Sequence, residues 1–166
     1  MIRSLVFMVL LCTLLSPPAR AEQPLPAPDD HAALANLSSG RAVFDIRIGE
    51  PQQLLFALKV IDETAAGLRR QKVSPEFILT FRGATLPLLK RSAPAGKPGE
   101  QAVLAEIHER LDEFRQQQMP LEACNVAARV FRVEAADLDP SLKLVGNSII
   151  SLIGYQQQGY ALIPMY

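Results

Sequence analysis

The residue in this chain with the most chemistry in it is Cys124, set in the stretch Met-Pro-Leu-Glu-Ala-Cys-Asn-Val-Ala-Ala-Arg-Val-Phe-Arg-Val over residues 119–133. Its neighbours predict a short strand over 121–124 and a short helix over 126–131, Ala-rich and without Gly or Pro, so Cys124 falls at a strand-to-helix corner. At such a corner the free backbone N–H groups of the first turn and the positive end of the helix dipole favour a thiolate over a thiol. Asn125 has the residue type of an N-cap, and the amides of Asn125 and Val126 are placed to face the sulfur. A thiolate held in this way attacks sulfur: it exchanges with disulfides, or it takes up a sulfane sulfur as a persulfide. The plainer alternative is a small buried apolar side chain, the commonest use of a free cysteine.

Other chemistries lack their residues. The second cysteine, Cys12, lies in an apolar leader, so a Cys-x-x-Cys oxidoreductase is excluded, and no His stands near Cys124 in sequence to announce a Cys/His hydrolase. The two histidines, His31 and His108, have no ligand partner at helical spacing, and no metal site is expected. Neither Gly-x-Gly-x-x-Gly nor a P-loop is present, and no cofactor is expected. Seventeen basic and seventeen acidic residues cancel without a run of like charge, which argues against a nucleic-acid groove or an anionic membrane surface.

The elements that must position Cys124 alternate along the chain. Residues 42–48 alternate as a strand, and Pro51 opens a helix over 52–70 whose Leu54, Leu58, Ile61, Ala65 and Leu68 form one apolar stripe. Residues 77–81, Phe-Ile-Leu-Thr-Phe, read as a strand covered on both faces, and Gly83 turns the chain after it. A helical turn over 85–89 and a loop over 91–99 precede a second long helix over 100–117, striped by Val103, Ile107, Leu111 and Phe114. After the Cys124 corner come a strand over 142–145 and a turn at Gly146, Asn147 and Ser148. The helix that follows carries Ile149, Ile150, Leu152 and Ile153 nearly all round, so it should be well covered, by the sheet or by a subunit contact as well. Gly159 caps that helix, and a last strand runs over 160–163 until Pro164 ends it.

This order predicts an α/β fold, a three-layer α/β/α sandwich around a mostly parallel five-stranded sheet. Ligand sites in such sheets lie beyond the C-terminal strand ends, where Cys124, Gly83, Asn147 and Ser148 all fall. That convergence predicts a partly exposed Cys124.

The start of the chain reads as a secretory signal peptide over residues 1–21, with Arg3, an apolar run over 5–15 and a small-x-small site at Ala19 and Ala21. The run is shorter than the ~20 residues of a membrane span. Leu11 before Cys12 does not suit a lipoprotein signal. Residues 22–40, Pro-rich at first, form an arm or linker, and residues 41–166 the domain. A mature chain exported in this way is periplasmic or secreted, with no membrane span after cleavage, and it carries Cys124 as a lone thiol in an oxidising compartment.

Several blocks together resemble the DsrE/DsrF-like family, which includes TusD-like sulfur-relay subunits. They are Glu50-Pro51 before the first helix, Phe81-Arg82-Gly83-Ala84, Ala123-Cys124-Asn125-Val126-Ala127-Ala128, Ala136-Asp137-Leu138-Asp139-Pro140, Val145-Gly146-Asn147-Ser148, and residues 156–164. The resemblance covers most of the chain from Ala42 and implies a persulfide on Cys124, a sulfur-carrier or sulfurtransferase role, a homo-oligomer (trimer or hexamer), and an exported sulfur donor or acceptor protein as partner. Two features depart from the family. Phe131-Arg132-Val133 stands where a Gly is usual, which predicts a reshaped turn, and export rules out the cytoplasmic partners. The competing readings are a non-catalytic oligomeric binding module and an exported redox-sensing thiol protein.

Overall fold

The computed structural model describes residues 28–92 and 99–166. The signal peptide, the Pro-rich start of the arm and most of the loop over 91–99 lie outside the described residues. Of the two units into which the chain divides, Met1–Asp30 contributes only residues 28–30 to the description, all exposed, and His31–Tyr166 carries the fold.

Five strands and four helices alternate: β1 (Ser39–Ile46), α1 (Pro51–Arg70), β2 (Ser74–Phe81), α2 (Glu100–Gln116), β3 (Leu121–Cys124), α3 (Asn125–Phe131), β4 (Lys143–Val145), α4 (Ser148–Gln157) and β5 (Ala161–Met165). Short 3-10 segments cover Gly83–Leu89 and Ala135–Asp137. All strand pairs are parallel, in the order β4-β3-β2-β1-β5. The predicted α/β class is therefore the observed one.

The strand order decides how the helices are shared out. Strands β1 to β4 are added in one direction, so right-handed crossovers put α1, α2 and α3 on one face, and the return from β4 to β5 puts α4 on the other. The three-helix face holds the main core: Leu54, Leu58, Ile61 and Ala65 of α1 and Ile107, Leu111 and Phe114 of α2 are fully buried against Ile46, Leu79 and Phe81. Both predicted stripes thus face the sheet. Beneath α4 the buried apolar cluster is only Val43, Ile78 and Leu152.

In the single chain only Ser148 and Leu152 of α4 are buried, and Ile149, Ile150 and Ile153 are more than half exposed, so the sheet covers one row of the helix. One expectation at this end of the chain is corrected. Pro164 does not end the last strand. Arg47 N–H donates to the Met165 carbonyl at 3.0 Å, so the backbone groups of residues 161, 163 and 165 point toward β1 and those of 162 and 164 toward the free edge, where a missing N–H is harmless. Gly159 adopts φ +86 just past the end of α4, as a closing glycine should.

Candidate functional site

Cys124 is the last residue of β3 and the residue from which α3 starts. It takes the N-cap position itself, so Asn125 is the first helical residue and not the predicted cap. Its side chain is 4% exposed, against the expectation of partial exposure. The Ser148 backbone N–H, at the first turn of α4, donates to Sγ at 3.4 Å. Burial by itself pushes the thiol pKa up. The Ser148 hydroxyl and amide, then the amides of Ala127 and Val126, outweigh it and leave the group below its ordinary value. The Ser148 hydroxyl is fully buried and is in hydrogen-bonding geometry with no partner, Sγ included, so it acts on the thiol by proximity while the amide makes the bond.

The turn after β2 supplies the positive charge. Phe81 pairs with Ala123, so Arg82 stands level with Cys124 on the neighbouring strand. Its guanidinium forks onto Asp45, Nε to Oδ1 at 2.5 Å and Nη2 to Oδ2 at 2.7 Å, and Asp45 is 3% exposed. That fork, against burial, raises the Arg82 pKa, and the charge of Cys124 adds to it. A buried carboxylate so paired is held in one orientation, and it fixes the guanidinium beside the thiol. Gly83 then takes φ +62, a left-handed conformation that turns the chain out of the strand. A Cβ there would meet nothing within 4 Å, so the requirement is conformational.

These parts enclose a cleft of about 250 Å³. Arg82 and Gly83 form one wall, Cys124 with Val126, Ala127, Val130 and Phe131 a second, and Asn147, Ser148 and Ile149 a third. Of the residues singled out in the sequence, Gly83, Cys124, Val126, Asn147 and Ser148 meet here. Asn125 does not line the cleft. Its place at the sulfur is taken by Ala127, because the helix begins one residue earlier than expected. Asn147 caps α4, accepting the Ile149 N–H at 3.0 Å, and so sets the angle at which Ser148 meets Sγ.

Sequence reasoning missed Arg82, Asp45 and a second rung between β3 and α4. Glu122 and Cys124 share one face of β3, and Ser148 and Tyr155 one face of α4. Tyr155 donates its hydroxyl to Glu122 at 2.7 Å, while the other Glu122 oxygen is buried without a partner. Burial, then Glu122, pushes the Tyr155 pKa up to about 12. Asp45 had one signal, an acid in an otherwise apolar strand segment.

Behind α3, Arg132 itself adopts the left-handed conformation that favours glycine, φ 54 and ψ 45, and Val133 N–H closes on the Ala128 carbonyl at 2.9 Å. His108 is committed elsewhere: Nδ1 lies 2.6 Å from Asp139 and Nε2 3.1 Å from the Lys90 carbonyl, tying α2 to the loop before β4. Burial opposes ionisation of Asp139, but Ser141 and then His108 lower its pKa. A larger apolar groove, about 680 Å³, runs between α1 and β5 from Leu37 to Met165; its lining has the hydroxyls of Ser39 and Thr64 but no Cys or His. Among the described residues no group of three or more His, Cys, Asp or Glu could hold a metal ion, and no helix is long and apolar enough to cross a membrane.

No protein-family profile matches the chain. An uncharacterized protein of Aquifex aeolicus (strain VF5) is 25% identical over 125 residues, 75% of this chain, and the match spans 55% of that relative's length. Among solved structures, the protein of unknown function MTH1491 from Methanobacterium thermoautotrophicum superposes with a TM-score of 0.61 at 18% identity, covering 76% of this chain and 99% of that one. The ychN protein from E. coli follows with a TM-score of 0.49 at 11% identity, covering 75% of this chain and 98% of its own. The chain therefore shares its parallel α/β fold with MTH1491.

Proposed function

We propose that this chain is an exported DsrE-like, TusD-like sulfur-handling protein in which Cys124 accepts a sulfane sulfur and passes it on. The observation that carries the reading is a buried thiol whose pKa is nevertheless lowered, by the Ser148 hydroxyl and amide and by the first amides of α3, inside a cleft beside a fixed guanidinium. The Cys124 thiolate attacks the outer sulfur of a donor persulfide; the Sγ–S bond forms, the donor's S–S bond breaks, and the donor leaves as its thiolate. In the onward step an acceptor thiolate attacks the same outer sulfur and Cys124 is the leaving group. The donors that stabilise the attacking thiolate also make it a good leaving group, which is what a carrier needs and a terminal acceptor does not. Resemblance to the DsrE/DsrF-like blocks supports the same role, and the signal-peptide pattern supports a periplasmic or secreted location. The exposed Ile150 and Ile153 support a homo-oligomer formed over α4, and the family resemblance supports a trimer or hexamer.

Intact mass spectrometry of residues 22–166 before and after a low-molecular-weight persulfide donor tests this. A gain of one sulfur, reversed by reductant and absent in Cys124→Ser, is expected. The absence of any gain, with assembly unchanged in Cys124→Ser, would leave the oligomeric binding module, the reading favoured by the 4% exposure of Cys124.

A further inference from the structure

The Cys124 cleft has mostly apolar walls, and they stand open to solvent: Val126 is 37% exposed, Phe131 41%, Ile149 52% and Val130 71%. Among the described residues Arg82 is the one charged group in its lining, with no acid beside it. Nε and Nη2 of that guanidinium are both taken by Asp45, a pair that is neutral as a unit. A charged group entering the cleft would exchange water for apolar walls and find no free counter-charge, whereas an apolar group gains from the same walls. The volume limits the guest as well: about 250 Å³, under the ~300–1,000 Å³ of sites for drug-sized ligands, holds a group the size of one side chain. A second observation lies at the floor of the cleft. The Ser148 hydroxyl is fully buried beside Sγ and bonded to nothing, while the Ser148 amide already donates to the thiol. A buried donor without an acceptor is costly, and a sulfur atom attached to Sγ supplies the acceptor.

We propose that the donor for Cys124 is a low-molecular-weight organic persulfide with a neutral, apolar substituent. The substituent lies against Val130, Phe131 and Ile149, and the sulfur delivered to Sγ accepts the Ser148 hydroxyl. This rests on the sulfur-transfer reading and adds the class of substrate to it. In the step, the Cys124 thiolate attacks the outer sulfur of R–S–SH; the Sγ–S bond forms, the donor's S–S bond breaks, and R–S⁻ leaves with the electron pair and takes a proton from solvent. The outer sulfur keeps its own proton, which leaves Cys124 as the hydropersulfide.

The test offers the protein freshly generated persulfides of 2-phenylethanethiol, 3-mercaptopropionate and cysteamine, apolar, anionic and cationic in turn, and follows the gain of one sulfur by intact mass spectrometry. Each rate is divided by that of the same persulfide with free 2-mercaptoethanol, which removes differences in intrinsic reactivity. The apolar persulfide should be faster than either charged one by on the order of tenfold, the effect of burying about 60 Å² of apolar surface, and the ratios should hold in about 0.5 M salt. Phe131→Ala should bring both ratios toward one. Val130→Ser, at a more exposed position, should lower them too and serves should Phe131→Ala fold poorly. Comparing ratios within each variant removes any general loss of reactivity. Equal rates in the unmutated protein overturn the proposal, as does a preference for either charged persulfide. So does a persulfide on the Leu-flanked cysteine of an eight-residue peptide that reacts as fast as the free apolar one, since the cleft mouth would then dock a protein. No sulfur gain from any donor would instead contradict the sulfur-transfer reading itself, so the two failures are distinct.

Discussion

On one face of the sheet α1, α2 and α3 lay fully buried Leu54, Leu58, Ile107 and Phe114 over Leu79 and Phe81; on the other, α4 alone covers Val43 and Ile78 and turns three isoleucines outward. The thin face is also the polar one. Asp45, Thr80, Glu122 and Ser148 are all buried there, and the thiol shares that row. A tight apolar layer gives stability and leaves nothing for a thiolate to bond with. The chemistry sits where a single helix brings amides and hydroxyls to the sheet and where the strand ends leave a cleft. The three-helix layer holds the sheet while the α4 layer tunes it.

The largest effect that follows is on the thick face. Phe114→Ala should cost about 3–5 kcal/mol in denaturant unfolding, whereas Ile150→Ser should stay within about 0.5 kcal/mol for the monomer. If Ile150→Ser costs as much as Phe114→Ala, another copy covers α4 and the two faces are equals in the assembly. Next, Asp45→Ala removes the counter-charge of Arg82 and should cost about 3 kcal/mol, the low end for a broken buried pair because the Arg82 side chain keeps 23% exposure. It should also slow Cys124 alkylation at pH 7.

A smaller effect carries a pH signature. Tyr155→Phe leaves Glu122 without a hydrogen bond and should cost about 1–3 kcal/mol. Because the folded pKa of Tyr155 is raised to about 12, its contribution is full below the unfolded value near 10 and lost as pH rises from about 10 to 12. Stability of the unmutated protein should decline across that window, and the variant should lack this component. Smallest of all, Arg132→Gly should stabilise by up to about 1 kcal/mol through relief of the left-handed turn. A loss of stability would mean that the Arg132 side chain has a structural contact after all.

Most of the thick face is legible in the chain, because a stripe at three- and four-residue spacing can only belong to a helix on a core, and Leu54 to Leu68 has no other solution. The thin face is not. An all-round apolar helix such as α4 announces cover without saying what provides it, and the strand order that leaves it alone on its face depends on where β5 returns. Cys124, Gly83 and Ser148 could be placed at one sheet edge from alternation alone. Arg82 and Asp45 could not, since their pairing, 37 residues apart, depends on the register of β1 against β2.

The most direct test of the central claim is the pH dependence of Cys124 alkylation by iodoacetamide, small enough for the cleft. The expected result is a rate profile with its midpoint below the ~8.5 of a free thiol, moved upward in Ser148→Ala. A midpoint at or above that value would mean that burial wins over the Ser148, Ala127 and Val126 donors, and Cys124 would then be a packing residue.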